Sequence, residues 1–160
     1  MQIFNSIDEI RNFKRECILS KHTLGFVPTM GNLHLGHLRL VLESLKCNDK
    51  TIVSIFVNPT QFGEGEDFDK YPRTFDDDCS KLKQLNNDNN YNGIIVFAPS
   101  SNVMYPSGKD NELIKVIPEA FADIAEGQSR PDFFNGVSQI CTKLFNIVQP
   151  DSIYFGQKDI

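Results

Sequence analysis

The stretch Leu24-Gly25-Phe26-Val27-Pro28-Thr29-Met30-Gly31-Asn32-Leu33-His34-Leu35-Gly36-His37-Leu38 decides the fold. Its first four residues are an apolar run of strand length, which Pro28 stops. A turn-like passage with two glycines then leads into Leu38, Val41, Leu42 and Leu45, which recur at helical spacing. The same strand, loop and helix order repeats downstream. Thr51 to Val57 contains Ile52-Val53-Ser54-Ile55-Phe56-Val57, nearly all apolar and β-branched, as a strand covered on both faces requires. Thr74-Phe75-Asp76-Asp77 reads as a helix start, with Phe75, Cys79, Leu82 and Leu85 as its apolar stripe, and Ile94-Ile95-Val96-Phe97 as the next strand. Val137, Ile140, Cys141, Leu144 and Val148 mark a longer helix ending before Pro150, and Ser152-Ile153-Tyr154-Phe155 a last strand. Such alternation predicts an α/β architecture with a doubly wound, Rossmann-like parallel sheet, in which ligands bind outside the carboxyl ends of the strands.

Outward from this frame, Ser6-Ile7-Asp8-Glu9 has the S-x-x-E form of a capping box and opens a first helix over residues 6–20. Asn58 to Arg73 is too polar and too rich in Gly and Asp for regular structure, and a loop of about 15 residues in a compact domain is usually functional or disordered. Asn86 to Asn92 reads as a polar turn, Leu113 to Ile117 as an inserted edge strand, and Glu119 to Glu126 as a short helix closed by Gly127.

The length of 160 residues accommodates one domain. Sixteen Lys and Arg stand against 21 Asp and Glu, a net charge of −5, which is a poor basis for coating a phosphate backbone and argues against nucleic acid as a partner. Residues 61–80 alone hold seven acids and two bases, which equals the whole excess, so the remainder is neutral and compatible with anionic ligands. Cys17, Cys47, Cys79 and Cys141 lack metal-ligand spacing and read as small buried hydrophobes of helices in a reducing compartment. The N-terminal MQIFNSIDEI carries two acids where a signal peptide needs an apolar core, and no run approaches the ~18 apolar residues of a membrane span. A cytoplasmic protein without membrane partners is expected.

His34 and His37 are three residues apart at the start of a helix that follows a buried strand, and so share a face at its positive end. Gly31 and Gly36 let backbone approach a ligand. Two imidazoles, loop N–H groups available to an anion and a helix dipole suit a site that stabilises charge on a reacting phosphorus. The plain alternative is a helix cap with two exposed histidines. Neither G-x-G-x-x-G nor G-x-x-x-x-G-K-[ST] occurs.

Phe26 to Leu38 resembles the P-T-M-G-x-L-H-x-G-H element of the pantothenate synthetase (pantoate:β-alanine ligase) family, within the H-x-G-H nucleotidyltransferase superfamily. Three further segments match in the same order: Val53-Ser54-Ile55-Phe56-Val57-Asn58-Pro59-Thr60-Gln61-Phe62, Tyr71-Pro72-Arg73-Thr74, and Lys143 to Asp151 running on to Phe155-Gly156-Gln157-Lys158-Asp159. The resemblance implies ATP- and magnesium-dependent joining of pantoate to β-alanine through enzyme-bound pantoyl adenylate, in a homodimer. It implies ATP contacts from Pro28, Thr29, Met30, Gly31, His34, Gly36, His37, Gly156, Gln157, Lys158 and Asp159. His37, His34 and Lys158 take catalytic roles, Lys158 at the phosphates, while Asp159 lies at the ribose. Gln61, Asn58 and Met30 are the implied pantoate and β-alanine contacts, and Asp76 to Asp78 are candidates for the metal or the amine, with Asp76 and Asp77 as metal ligands.

This sequence departs from the family at Gln157, where Glu is usual, and at three positions within Arg130-Pro131-Asp132-Phe133-Phe134-Asn135-Gly136-Val137 against R-P-G-H-F-R-G-V. The resemblance further implies that residues 1–160 form the ATP- and pantoate-binding domain, that the family's small C-terminal domain lies outside this chain, and that the chain turns over poorly. Two other readings share His34 and His37: a different adenylyltransferase of the superfamily, which has no reason to carry Gln61 within F-V-N-P-T-Q-F, and a nucleotide-binding module without catalysis.

Overall fold

The computed structural model describes residues 1–63, 68–89, 91–118 and 133–157. Its elements in chain order are β1 (Gln2–Phe4), α1 (Ile7–Leu19), β2 (Leu24–Thr29), α2 (Leu35–Cys47), β3 (Lys50–Ile55), a 3₁₀ turn (Pro59–Gln61), α3 (Phe75–Asp88), β4 (Ile94–Phe97), α4 (Ser101–Met104), α5 (Phe133–Val148) and β5 (Ser152–Ile153). The five strands form one parallel sheet in the order β1-β4-β3-β2-β5. From β2 the chain winds through β3 to β4, then returns past β2 to add β5 on its other side. The switch point is therefore between the carboxyl ends of β2 and β5.

Both faces of the sheet are covered, as the apolar strands demand. Leu24, Phe26, Ile52, Ile95 and Phe97 point toward Ile10, Phe13 and Cys17 of α1 and Ile140, Leu144 and Val148 of α5. Their neighbours Val27, Val53, Ile94 and Val96 point the opposite way, toward Val41 and Leu45 of α2 and Leu82 of α3. The period-two alternation of strands thus feeds two cores from one sheet. Ser6 caps α1 with the full reciprocal box, Ser6 Oγ accepting from Glu9 N–H while the Glu9 carboxylate accepts from Ser6 N–H.

Several expectations need correction. Pro28 does not end its strand: β2 runs on to Thr29. Phe26 O accepts from Tyr154 N–H, and Pro28, two residues on, faces the same side, where β5 has already ended; its missing N–H leaves no ladder bond unmade. β1 is not legible in the sequence, being only three residues long. Leu113 to Ile117 is not a strand. No strand among the described residues offers it a ladder; instead Val116 N–H donates to Gln139 Oε1 (2.8 Å) and Gln139 Nε2 donates to Ile114 O (3.1 Å), which ties the segment to α5. α3 extends three residues into the stretch expected to be a turn, and the helix expected over 119–126 lies outside the described residues. Cys17 and Cys79 are buried and Cys141 is half-buried, but Cys47 is exposed, because it stands two residues, about 200°, around the helix from buried Leu45. Burial pushes the Cys141 thiol up to about 11, so it is not a nucleophile at neutral pH.

Candidate active site

The loop between β2 and α2 reverses direction through two residues in the left-handed region, Gly31 (φ 83°) and Asn32 (φ 51°). Glycine meets the first requirement without cost, and an alanine Cβ at Gly31 would also lie 3.1 Å from Asp78 Oδ2. Asp78 is fully buried and holds this reversal: Asn32 N–H donates to its Oδ2 (2.9 Å), Leu33 N–H to its Oδ1 (2.6 Å), and Thr74 Oγ1 also bonds Oδ2 (3.2 Å). Lys81, one turn further along α3, donates to Leu33 O (2.8 Å) and pairs with Asp77 (2.6 Å). α3 therefore braces the loop from below.

His34 is the N-cap of α2. Its Nδ1 accepts from Gly36 N–H (3.1 Å), and His37 Nδ1 accepts in turn from His34 N–H (3.4 Å). The two rings lie 4.1 Å apart at 38°. With Nδ1 accepting in both rings, Nε2 is the nitrogen that carries the N–H of each imidazole. The helix-cap reading holds in that His34 is the cap of α2, with the two rings brought side by side at its start. The expectation that the loop's own amides are available to an anion is corrected, however. Those of Gly31, Asn32, Leu33, His34 and Gly36 all have acceptors within the protein.

At the end of β3 the chain makes the 3₁₀ turn that carries Gln61, which is 8% exposed. Asn58 caps this turn and is itself buried, its amide used at both ends. Nδ2 donates to Gly136 O (3.1 Å), while Oδ1 accepts from Tyr105 Oη (2.8 Å), Thr60 Oγ1 (3.1 Å) and Thr60 N–H (3.4 Å). Gly136 lets α5 touch the turn directly, since a Cβ there would stand 2.3 Å from Thr60 O. Beyond the turn Phe62 gathers Phe68 (5.3 Å) and Tyr71 (5.8 Å), with the Arg73 guanidinium 5.0 Å over Phe68. The Y-P-R-T segment is therefore folded back on the turn rather than extended. A cleft of about 660 Å³ opens beside the turn, lined by Thr60, Phe62, Tyr105, Lys115, Gly136 and Gln139 among others.

The sheet thus brings Pro28 and Thr29 at the end of β2 together with Met30, Gly31, His34, Gly36 and His37 just beyond it, and Asn58 and Gln61 after the adjacent β3. Gly156 and Gln157 follow β5 across the switch point, while Lys158 and Asp159 lie outside the described residues. Asp76 and Asp77 are exposed on the first turn of α3. Among the described residues no three His, Cys, Asp or Glu side chains come together as metal ligands. With Asp77 paired and both Asp78 oxygens occupied, these residues do not fit a magnesium ion held by the protein. Reading the sequence does not single out Lys81, Tyr105 or Gly136, nor Asp78 as part of the site's frame. Signals for two of the four exist: an acid inside the stripe Phe75, Cys79, Leu82 must find partners, and a glycine inside a helix pattern marks close approach.

An all-parallel, doubly wound sheet with an H-x-G-H pair capping the helix after its switch-point strand defines a nucleotidyltransferase-type domain. Residues 2–160 match the model of the Pantoate-beta-alanine ligase family. The pantothenate synthetase of Hydrogenovibrio crunogenus is 47% identical over 159 residues, covering 99% of this chain and 54% of that protein. The pantoate–beta-alanine ligase of Saccharomyces cerevisiae is 44% identical over 170 residues, covering 100% of this chain and 52% of that protein. Among solved structures, the pantothenate synthetase of Thermus thermophilus superposes with a TM-score of 0.84 at 38% identity, covering 99% of this chain and 53% of that one. The Francisella tularensis ligase complexed with beta-gamma ATP and beta-alanine has a TM-score of 0.83 at 36% identity, with 96% and 55% covered. The chain belongs to the pantoate-beta-alanine ligase family. It spans about half the length of the curated relatives it matches.

Proposed function

We propose that this chain binds MgATP and pantoate and carries out the adenylation half of an ATP-dependent ligation of pantoate to β-alanine. The observation that supports this most directly is the pairing, on adjacent strand ends, of the stacked His34–His37 donors with the buried Gln61 turn. In the first step a pantoate carboxylate oxygen attacks the α-phosphorus and pyrophosphate leaves. One anion approaches another, so the step needs oriented donors rather than a base, and the Nε2–H groups of His34 and His37, the α2 dipole and Lys158 supply them. In the second step the uncharged amine of β-alanine attacks the acyl carbon and AMP leaves, for which positioning is the main requirement. A neutral amide at Gln61 can bond the pantoate oxygens without trapping either reactant as a salt. Met30 borders both ligands, Asn58 shapes the turn, Gly156 and Gln157 flank the nucleotide, and Asp159 takes the ribose. Magnesium arrives with the triphosphate as part of the substrate.

The test is calorimetric titration of the chain with MgATP, with and without pantoate, joined to exchange of labelled pyrophosphate into ATP. ATP binding with exchange that requires pantoate is the expected result. Exchange without pantoate would indicate another adenylyltransferase, and absence of ATP binding would overturn the reading. Replacing His37 by alanine is expected to slow exchange about 100-fold, with a much smaller loss of ATP affinity, because its donor matters most as charge builds on phosphorus. Equal losses would reduce His37 to a binding residue.

A cytoplasmic homodimer is the proposed working state. It is supported by Leu113, Ile114 and Ile117, large apolar side chains left exposed on one segment, and by the lack, among the described residues, of a helix able to cross a membrane. A concentration-independent monomer mass by light scattering would contradict the dimer.

A further inference from the structure

We propose that Tyr105 is a positioning residue for Gln61: its hydroxyl, by fixing the side-chain amide of Asn58, holds the 3₁₀ turn in the geometry that the carboxylate substrate requires. The proposal rests on the assignment of Gln61 to that substrate. Tyr105 lies just past α4, is 3% exposed and stands in the wall of the cleft beside the turn. Lys143 of α5 fixes its ring from one side, with Nζ 4.3 Å from the ring centroid and bonded to Met104 O (2.7 Å) and Glu112 (2.5 Å). Phe56, just past β3, packs on the ring at 6.4 Å. Held in this way, the phenol has one short bond, 2.8 Å to Asn58 Oδ1, and a longer contact to Thr60 Oγ1 (3.4 Å). Burial pushes the phenol pKa up, so it remains a donor through the neutral range.

Thr60 N–H, which can only donate, and Gly136 O, which can only accept, set which way the Asn58 amide faces, and the Tyr105 hydroxyl holds it there. With Oδ1 toward Tyr105 and Thr60, Nδ2 is aimed at Gly136 O, which locks the first turn of α5 to the turn bearing Gln61. A flipped amide would set Nδ2 against the Thr60 N–H, donor against donor. Without the hydroxyl the Thr60 bonds persist, so the turn loosens rather than unfolds. The loop carrying His34 is braced by its own set of bonds, from Asp78 and Lys81. The two ligands should therefore respond differently.

The experiment compares the chain with Tyr105→Phe, which keeps the ring, its packing and its contact with Lys143. Titrations with pantoate and with MgATP are paired with ¹⁵N spectra of the Asn58 and Gln61 side-chain amides in the ligand-free protein. Ile10→Val, on α1 in the same core, is a stability-matched control that removes none of the network's hydrogen bonds. The expected result is a pantoate affinity about 10-fold weaker, an unchanged ATP affinity and displaced Asn58 and Gln61 amide signals in Tyr105→Phe, with none of these changes in Ile10→Val. Unmoved Gln61 signals with wild-type pantoate affinity would overturn the proposal. So would equal weakening of both ligands in step with melting temperature, the pattern of a merely structural residue. A wild-type chain that binds no pantoate would sink the substrate assignment of Gln61, and the amide signals would then decide the Tyr105–Asn58 relay by themselves.

Discussion

Replacing Gly136 with alanine is expected to destabilise the chain by about 2 kcal/mol and to abolish tight pantoate binding. The added Cβ would lie 2.3 Å from Thr60 O, 2.6 Å from Thr60 C and 2.9 Å from Gln61 N. All three are backbone atoms, so no side chain can rotate out of the way; α5 or the Gln61 turn must move. Two effects oppose one another here. Alanine is the better helix former by about 1 kcal/mol, whereas forcing atoms into a packed contact costs about 1–3 kcal/mol. A contact this short against backbone puts the cost at the upper end, and it also breaks the Asn58 bond to Gly136 O. Urea denaturation measures the outcome: a lower midpoint at unchanged slope is expected. A variant more stable than the wild type would mean that propensity wins and that the close approach does not constrain the turn.

Replacing Asp78 with alanine is expected to cost about 3–5 kcal/mol, a large share of the roughly 5–15 kcal/mol that holds a domain together. The substitution strands two backbone donors and the Thr74 hydroxyl; Leu33, one of the donors, is 1% exposed. Bonds to a charged acceptor are worth about 1.5–3 kcal/mol each, and buried donors left without partners carry their full desolvation cost. Asp78→Asn is the sharper variant, since it preserves shape but faces one of the N–H groups with another donor. It should fold, melt lower than the wild type and bind ATP at least 10-fold more weakly, because the Gly31–Asn32 reversal that delivers His34 is no longer held. Asp77→Ala, which removes only an exposed pair with Lys81, should change stability by less than about 1 kcal/mol. If Asp78 instead acted on the metal, Asp78→Asn would lose pyrophosphate exchange while keeping its melting temperature and ATP affinity; if it acted on the amine, exchange would persist and only transfer to β-alanine would be lost.

Both variants show where reading the chain as a string of elements stops being informative. A strand starting at Leu24 is legible, though not its run through Pro28 to Thr29, because its signals are local: a short apolar run, a turn and a helical stripe, all within one stretch. His34 and His37 are legible as a pair for the same reason, since three-residue spacing at a helix start places them together whatever lies elsewhere. Gln61 is singled out by resemblance alone; as a residue type it is an ordinary polar loop side chain, and only its burial beside α5 distinguishes it. Asp78 stands out only as one of three consecutive acids, and nothing in that run distinguishes the buried member from its exposed neighbours except its place in the apolar stripe. Leu113 to Ile117 carries the composition of a strand but lacks a ladder partner among the described residues, and composition cannot supply one.

The sequence by itself determined the alternating α/β order, the parallel sheet and the position of the histidine pair, because hydrophobic periodicity and capping act over a few residues. Only the tertiary structure decided which polar groups are spent in holding the site and which are left to act. Asp78 meets Asn32 across 46 residues, Tyr105 meets Asn58 across 47, and Asn58 meets Gly136 across 78. Those bonds exist only once the sheet has gathered its carboxyl ends, and they depend on tenths of an ångström and on the direction of single donors, neither of which residue type or spacing encodes.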